Sequence, residues 1–448
     1  MCKLLCNNEL TPDKSLVLRK SQMKRILTNL YCTIADNSTV ISVFVLLFLT
    51  FIVLMSKWGH GGDMWCWGQW TKYIFTHGLG NSYKSGTNYL PLYQYGMFLF
   101  GKFQGSLESI DRNLFQLKVI TLLFDFTSGY FLYKILRTRF DKEKSIFYSF
   151  FYFFNIAYFY NTLIWCQVDG IMACFVFLAF YYAIKQKVLV SLIFFLLSIN
   201  LKLQSIVFFP FVGLLLLPSM VNQFSFKKLL FWTGTLVTIQ FLILFPFIMA
   251  GDLERVWYIV INSVDTFPVV SMNAYNFWYW VVRGDLMHIE DSVRFLGITY
   301  KYWGLLMFFA TSFLAMFPLL RSVISQLFCL KKRYLTMDQT LIIATLIPIL
   351  FFFFNTQMHE RYTHPAILFL TIYAILSKKY FAYVMGSLAY FMNLEGVLHY
   401  LQLKNYQTAL FHPAFIAFLF FVCITTLFFQ LYGIKMFQKP PLHSNNLS

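Results

Sequence analysis

The sequence predicts an all-α integral membrane protein, a bundle of about twelve transmembrane helices with a large first outer loop. Three observations lead there. Of 448 residues, 58% are hydrophobic and only 12% charged, about half the charged share of a soluble domain. The apolar residues run uninterrupted for whole stretches, which does not fit the alternating pattern of a membrane β-barrel. The 36 Lys and Arg, set against 19 Asp and Glu for a formal net charge of +17, gather in short clusters between those stretches, as flanks held on the cytosolic side of a bilayer do. Charge placed in this way points to membrane lipids and removes nucleic acid as a partner.

Residues 1–38 are polar and mixed in charge, carry Lys14, Arg19, Lys20, Lys24 and Arg25, and show no apolar core with a small-residue cleavage site. A cleaved signal peptide is not expected, and the segment is read as cytosolic. Val40 to Met55, in a run near 39–56, serves as targeting signal and first span. Further runs lie near 117–136, 145–163, 168–184, 188–201, 203–219, 229–249, 297–320, 338–354, 362–377, 380–398 and 410–434. Those between 168 and 219 and at 362–377 fall short of the roughly 20 residues that a hydrocarbon core requires, and are expected to tilt or extend into their flanks. Residues 39–434 thus read as one membrane domain without a fixed-period repeat, and 435–448 as a polar cytosolic tail.

Threading the runs alternately collects Arg137 to Lys144, Lys185, Lys187, Lys227, Lys228, Arg321, Lys331 to Arg333, Lys378, Lys379 and Lys435 on the side of the basic amino terminus. By the positive-inside rule that side is cytosolic, and both termini with it. The long connections 57–116 and 250–296 then fall on the outer face, where loops on a rigid scaffold concentrate function. Within the first, Tyr89–Phe100 is apolar, too short to span and opened by Pro91, so it reads as an interfacial or re-entrant helix. The eight Cys form no CxxC pair or other metal spacing and read as packing residues, so no metal site is expected.

Several outer-face residues could carry chemistry. After the first span, Gly59-His60-Gly61-Gly62-Asp63 runs into Trp65, Trp67 and Trp70. The glycines permit a sharp exit that would hold the Asp63 carboxylate at the membrane surface; the alternative is an aromatic interfacial belt with one solvated acid. Tyr89-Leu90-Pro91-Leu92-Tyr93 by itself indicates only aromatics at the interface. In Trp165-Cys166-Gln167-Val168-Asp169-Gly170, Asp169 either caps a helix amino terminus or, with Gln167, holds polar substrate groups in an aqueous groove. His359, Glu360, Arg361 and His364 crowd the edge of two apolar runs, which requires internal pairing or a bound ligand. The HExxH pattern would need His where Thr363 stands, which rejects a zinc site. Lys202, between apolar runs, either snorkels to headgroups or joins His359 and Arg361 in meeting a phosphate through charge-assisted bonds. An acid, cations and aromatics on one face describe a site for a lipid-phosphate donor.

At these residues the sequence resembles the GT-C superfamily, multi-spanning glycosyltransferases that use polyprenyl- or dolichyl-phosphate sugars. More narrowly it is similar to bacterial membrane proteins related to the GPI mannosyltransferase that adds the second mannose. The motifs occur in order: Gly62-Asp63 with Trp70, Gly78 to Tyr83, Asn88 to Tyr93, Trp165 to Asp169, Lys202 with Gln204, Asn273 to Trp278, and Met358-His359-Glu360-Arg361-Tyr362. The last is intact and the most specific. Cys166 stands where the family has Gly, and Leu90 and Leu203 where it has Pro.

The resemblance implies a GT-C-like bundle that needs no cofactor or metal. Its reaction would be an inverting transfer of a hexose, mannose included, from a polyprenyl-phosphate donor to a glycan, lipid or protein acceptor on the outer face. Asp63 matches the family's acid, as catalytic base or acceptor-orienting group. Lys202, His359 and Arg361 would hold the donor phosphate. Gln167, Asp169, Glu360 and Tyr362 would shape the sugar or acceptor site, with Trp65 and Tyr93 lining the path or anchoring the loop. The implied location is a bacterial cell membrane, with the endoplasmic reticulum membrane the alternative. Competing readings are a transporter or flippase of lipid-linked sugars, which predicts two related halves not evident in the sequence, and an outer-leaflet glycan polymerase or ligase.

Overall fold

Lipid offers no hydrogen-bond partner, so an apolar run must satisfy its own backbone, and the runs here do so as helices. The computed structural model describes residues 38–263, 265–328 and 335–434. Most of the expected cytosolic amino-terminal segment, the expected tail, Cys2, Cys6, Cys32, Cys329, Lys331 to Arg333 and Lys435 lie outside the described residues.

Among the described residues, seven helices are long and apolar enough to cross a membrane: Leu107–Leu136, Leu203–Asn222, Phe226–Met249, Tyr300–Leu327, Met337–Phe354, Phe381–Leu398 and Pro413–Tyr432. Four shorter apolar helices, Ser38–Leu54, Asp169–Ile184, Val188–Leu201 and His364–Ser377, fall on four further expected runs. The first of these is uncharged along its whole length. Strand structure among the described residues is limited to isolated bridges and one small hairpin, Arg294–Phe295 with Ile298–Thr299.

The first long connection is mostly helical, with helices Gly61–His77, Pro91–Gln104 and Leu107–Asn113 and a 3-10 turn at Leu79–Ser85. Gly78 ends the first of these helices at φ 81°, a conformation costly for any residue with a side chain. Pro91 occupies the first turn of the second, where its missing N–H costs nothing. Trp67, Tyr93, Met97 and Cys166 are buried together in the packing beneath them.

The expected span 145–163 is interrupted. Helix Lys142–Phe153 stops, and Asn155 caps a short helix, Ile156–Tyr160, by accepting from the Tyr158 N–H at 3.1 Å. A π-helical turn, Asn161–Trp165, then leads to Cys166 at φ 74°. Such turns arise where a regular helix would misdirect side chains, and they favour functional sites. Cys166 is in the left-handed region, which explains physically why glycine suits the position.

The mostly buried helix Asp169–Ile184 packs against Val188–Leu201, Lys118–Leu136 and His364–Ser377. The second long connection is bolted to the end of Met337–Phe354. The unpaired terminal carbonyls of that helix are taken up from outside: Phe352 O accepts from Asn276 Nδ2 at 2.9 Å and Phe354 O from Trp278 Nε1 at 2.8 Å. Gln357 Nε2 donates to Asp265 Oδ1 at 2.8 Å and Asp291 Oδ2 at 2.9 Å, and Met272 N donates to Met358 O at 2.9 Å.

Candidate functional site

Asp63 lies in the first turn of Gly61–His77, where the helix dipole favours a carboxylate. The chain before it fits closely against the π-turn, since a Cβ on Gly59 would lie 2.9 Å from Met64 Cγ and 3.1 Å from Trp165 O. That contact brings a donor set to the acid. Asp63 Oδ2 accepts from Trp165 Nε1 at 3.0 Å and from Gln167 Nε2 at 2.6 Å, with His60 Nδ1 at 3.2 Å. Oδ1 takes none of these bonds, and the side chain keeps about a quarter of its surface exposed, 24%. Burial pushes the Asp63 carboxyl up, but the Arg361 guanidinium and the His60 hydrogen bond more than offset it and hold the acid well below the usual carboxylate range. His60, stacked on Trp165 with ring centroids 5.3 Å apart, is raised by its hydrogen bond to Asp63.

Asp169 begins its helix but makes no side-chain cap bond there. It is fully buried, with Lys202 Nζ 2.5 Å from Oδ1, Asn161 Nδ2 3.4 Å from Oδ2, and Arg361 Nε 3.7 Å from Oδ2. Lys202 is an extended residue between helix Val188–Leu201 and the 3-10 turn Leu203–Phe208, and its ammonium lies 5.3 Å from the Tyr362 ring centre. Arg361 Nη1 pairs with Glu360 Oε1 at 2.6 Å, and Gln204 Nε2 donates to Tyr362 O at 3.2 Å. Gln167 connects the two acid sites: its amide donates to Asp63 and its Oε1 accepts from Tyr89 OH at 3.3 Å, two residues from Asp169. Asp169, Lys202 and the neighbours Glu360 and Arg361 therefore form one polar cluster of two carboxylates and two cations, and the Arg361 charge acts on Asp63.

His359 packs between Phe267 and Tyr362 and is partly buried, and desolvation together with the Arg361 charge holds its pKa well below the usual histidine value. Its Nδ1 lies 3.9 Å from Glu360 Oε2. Tyr93 is buried against Trp67, 4.7 Å between ring centroids, a placement that suits anchoring of the loop. Trp65 is 66% exposed. The internal Glu360–Arg361 pair, one of the two alternatives for that segment, is present.

The sequence reading passed over Asp125 and Lys118, both in a run taken as a plain span, although an ionisable residue within an apolar run is itself a signal. Asp125 is fully buried, with Thr162 Oγ1 donating to Oδ2 at 2.7 Å and Tyr152 OH to its main-chain carbonyl at 3.0 Å. Its other oxygen approaches the helix that starts at Asp169 so closely that a Cβ on Gly170 would lie 2.2 Å away. Gly170→Ala is therefore expected to destabilise the protein by about 1–3 kcal/mol through overpacking. The check is the thermal midpoint in detergent; an unchanged midpoint would mean that the contact relaxes freely.

Around the cluster, Arg361 Nε, Asn161 Oδ1, Gln204 Oε1, Thr363 Oγ1 and His364 Nε2 are buried without a hydrogen-bond partner. Buried polar atoms of this kind call for water or a ligand rich in donors and acceptors. Two apolar grooves, of about 250 and 460 Å³, instead border Phe226–Met249, one of them shared with Leu92 and Tyr95, and include none of these side chains. No protein-family model matches the sequence, and no curated protein matches it significantly.

Proposed function

We propose that the protein is an inverting glycosyltransferase of GT-C type that moves a hexose from a polyprenyl-phosphate donor to an acceptor hydroxyl on the outer membrane face. The observation that supports this most is the Asp63 carboxylate. One oxygen accepts from Trp165 and Gln167 and lies 3.2 Å from His60 Nδ1, the other takes none of those bonds, and the charge of Arg361, which shares Asp169 with Lys202, acts on the carboxylate.

In the reaction, the acceptor oxygen attacks the anomeric carbon as the bond from that carbon to the phosphate oxygen breaks. The bonding pair leaves with the polyprenyl phosphate, and attack opposite the leaving group inverts the centre. Asp63 Oδ1 accepts the hydroxyl proton. A strongly acidic carboxyl is a weak base, so proton transfer follows C–O bond formation, when the hydroxyl has become acidic. The departing phosphate gains negative charge, which the Arg361 Nε–H and Lys202 stabilise by charge-assisted bonds as they loosen from Asp169. The unpartnered amide oxygens of Asn161 and Gln204 suit sugar hydroxyls. The basic clusters fit both termini being cytosolic, and the motif resemblance favours a bacterial cell membrane.

A screen of purified protein against defined polyprenyl-phosphate sugars, with mass analysis of the products, tests the reading. One hexosyl lipid is expected to yield a glycosylated acceptor plus polyprenyl phosphate. Movement of intact lipid-linked sugar across vesicles without bond cleavage would replace transfer by transport.

A further inference from the structure

Lys118 opens the helix Lys118–Leu136, is 1% exposed, and plays no part in the chemistry above. Its ammonium donates to four main-chain carbonyls, Ser56 O at 2.8 Å, Trp58 O at 2.6 Å, Leu163 O at 2.9 Å and Ile164 O at 3.1 Å. A buried cation is thus compensated by oriented dipoles, the arrangement by which carbonyl oxygens replace the hydration shell of a potassium ion.

The four carbonyls come from two chain segments far apart in sequence, and each segment runs directly into half of the site. Ser56 and Trp58 precede His60 and Asp63, while Leu163 and Ile164 precede Trp165 and Gln167, the two side chains that bind Asp63 Oδ2. A single main-chain bond, His60 N to Trp165 O at 3.2 Å, adds to the tie. With the ammonium gone, four carbonyls would face one another without a donor, and the cost of unsatisfied buried acceptors would push the segments apart.

We propose that Lys118 is a positioning residue whose built-in cation seats Asp63 against Trp165 and Gln167, and that the four-carbonyl cage accepts a free potassium or ammonium ion when the side chain is removed. Only the consequence for turnover rests on the glycosyl-transfer reading.

The test compares wild type and Lys118→Ala by amide hydrogen exchange in choline, potassium and ammonium chloride. The variant is expected to exchange about tenfold faster in both 59–66 and 162–168 in choline, with potassium or ammonium restoring most of the protection and wild type indifferent to the cation. Unchanged exchange, or a loss that neither cation restores, overturns the proposal. Where Lys118→Ala does not fold, wild type carries the test: under amine acylation Lys118 should stay unmodified while exposed Lys57 reacts, and equal modification overturns the cage. In turnover of a polyprenyl-phosphate hexose, the variant should lose kcat with little change in KM and recover it in ammonium. Cation-rescued exchange in a protein that turns over no such donor supports the cage and defeats the functional reading.

Discussion

Asp63→Asn is expected to lower hexose transfer about a hundred- to ten-thousand-fold, the range for loss of a positioned proton acceptor, while the protein still inserts and folds. The amide oxygen of Asn can still accept from Trp165 or Gln167, so the seat survives and the proton acceptor does not. Product formation by mass analysis at saturating donor is the measurement, and undiminished turnover would sink the assignment. The pH profile gives a second reading of the same group. Because Asp63 sits well below its ordinary value of 3.8, it stays ionised through the working range and contributes no acid limb there. Its stabilising contribution is present above the unfolded value and is lost only as pH falls through the depressed one. His60 has the opposite sign. Raised above 6.5, its contribution is complete below that value and fades as pH rises through the folded pKa. Stability of wild type should therefore decline on the alkaline side more than that of His60→Gln, and parallel profiles would remove His60 from the seat.

The second large effect concerns the buried ion cluster. Lys202→Met is expected to destabilise the protein by about 3–5 kcal/mol, because Asp169 would be left buried with Arg361 as its remaining charged partner, 3.7 Å away. Asp169→Asn combined with Lys202→Met should cost less than Lys202→Met alone, since both charges then leave together and Arg361 keeps Glu360 at 2.6 Å. Denaturation in detergent measures this, and strictly additive losses would mean that the two side chains do not interact. Transfer is expected to fail in both variants, because each removes Lys202, which would meet the donor.

Much of the helix layout was legible because each run announces itself locally. Val188–Leu201 and Met337–Phe354 were read within a residue of their observed ends, since a continuous apolar stretch must close its own hydrogen bonds. The span expected at 145–163 is interrupted where no local signal marks a π-turn: the apolar run continues into Asn161–Trp165, and position 166 is Cys, with no glycine to flag its positive φ. The acids and cations of the site were named from motif order and from the cost of charge at a hydrocarbon edge. The charge of His359 was not legible, because a histidine's pKa depends on what surrounds it, and its packing near Arg361 is invisible in the chain.

By itself the sequence determined an all-α chain with helices long and apolar enough for lipid, and narrowed the reactive candidates to a few polar residues between apolar runs. Those properties follow from composition and run length, which neighbouring residues suffice to express. Only the tertiary structure decided which candidates meet. Asp63 and Trp165 are 102 positions apart, and Lys202 reaches Asp169 across 33. Such pairings depend on how helices pack and where they break, and in a low-dielectric interior those angstroms decide whether a charge is neutralised, shifted or left available for chemistry.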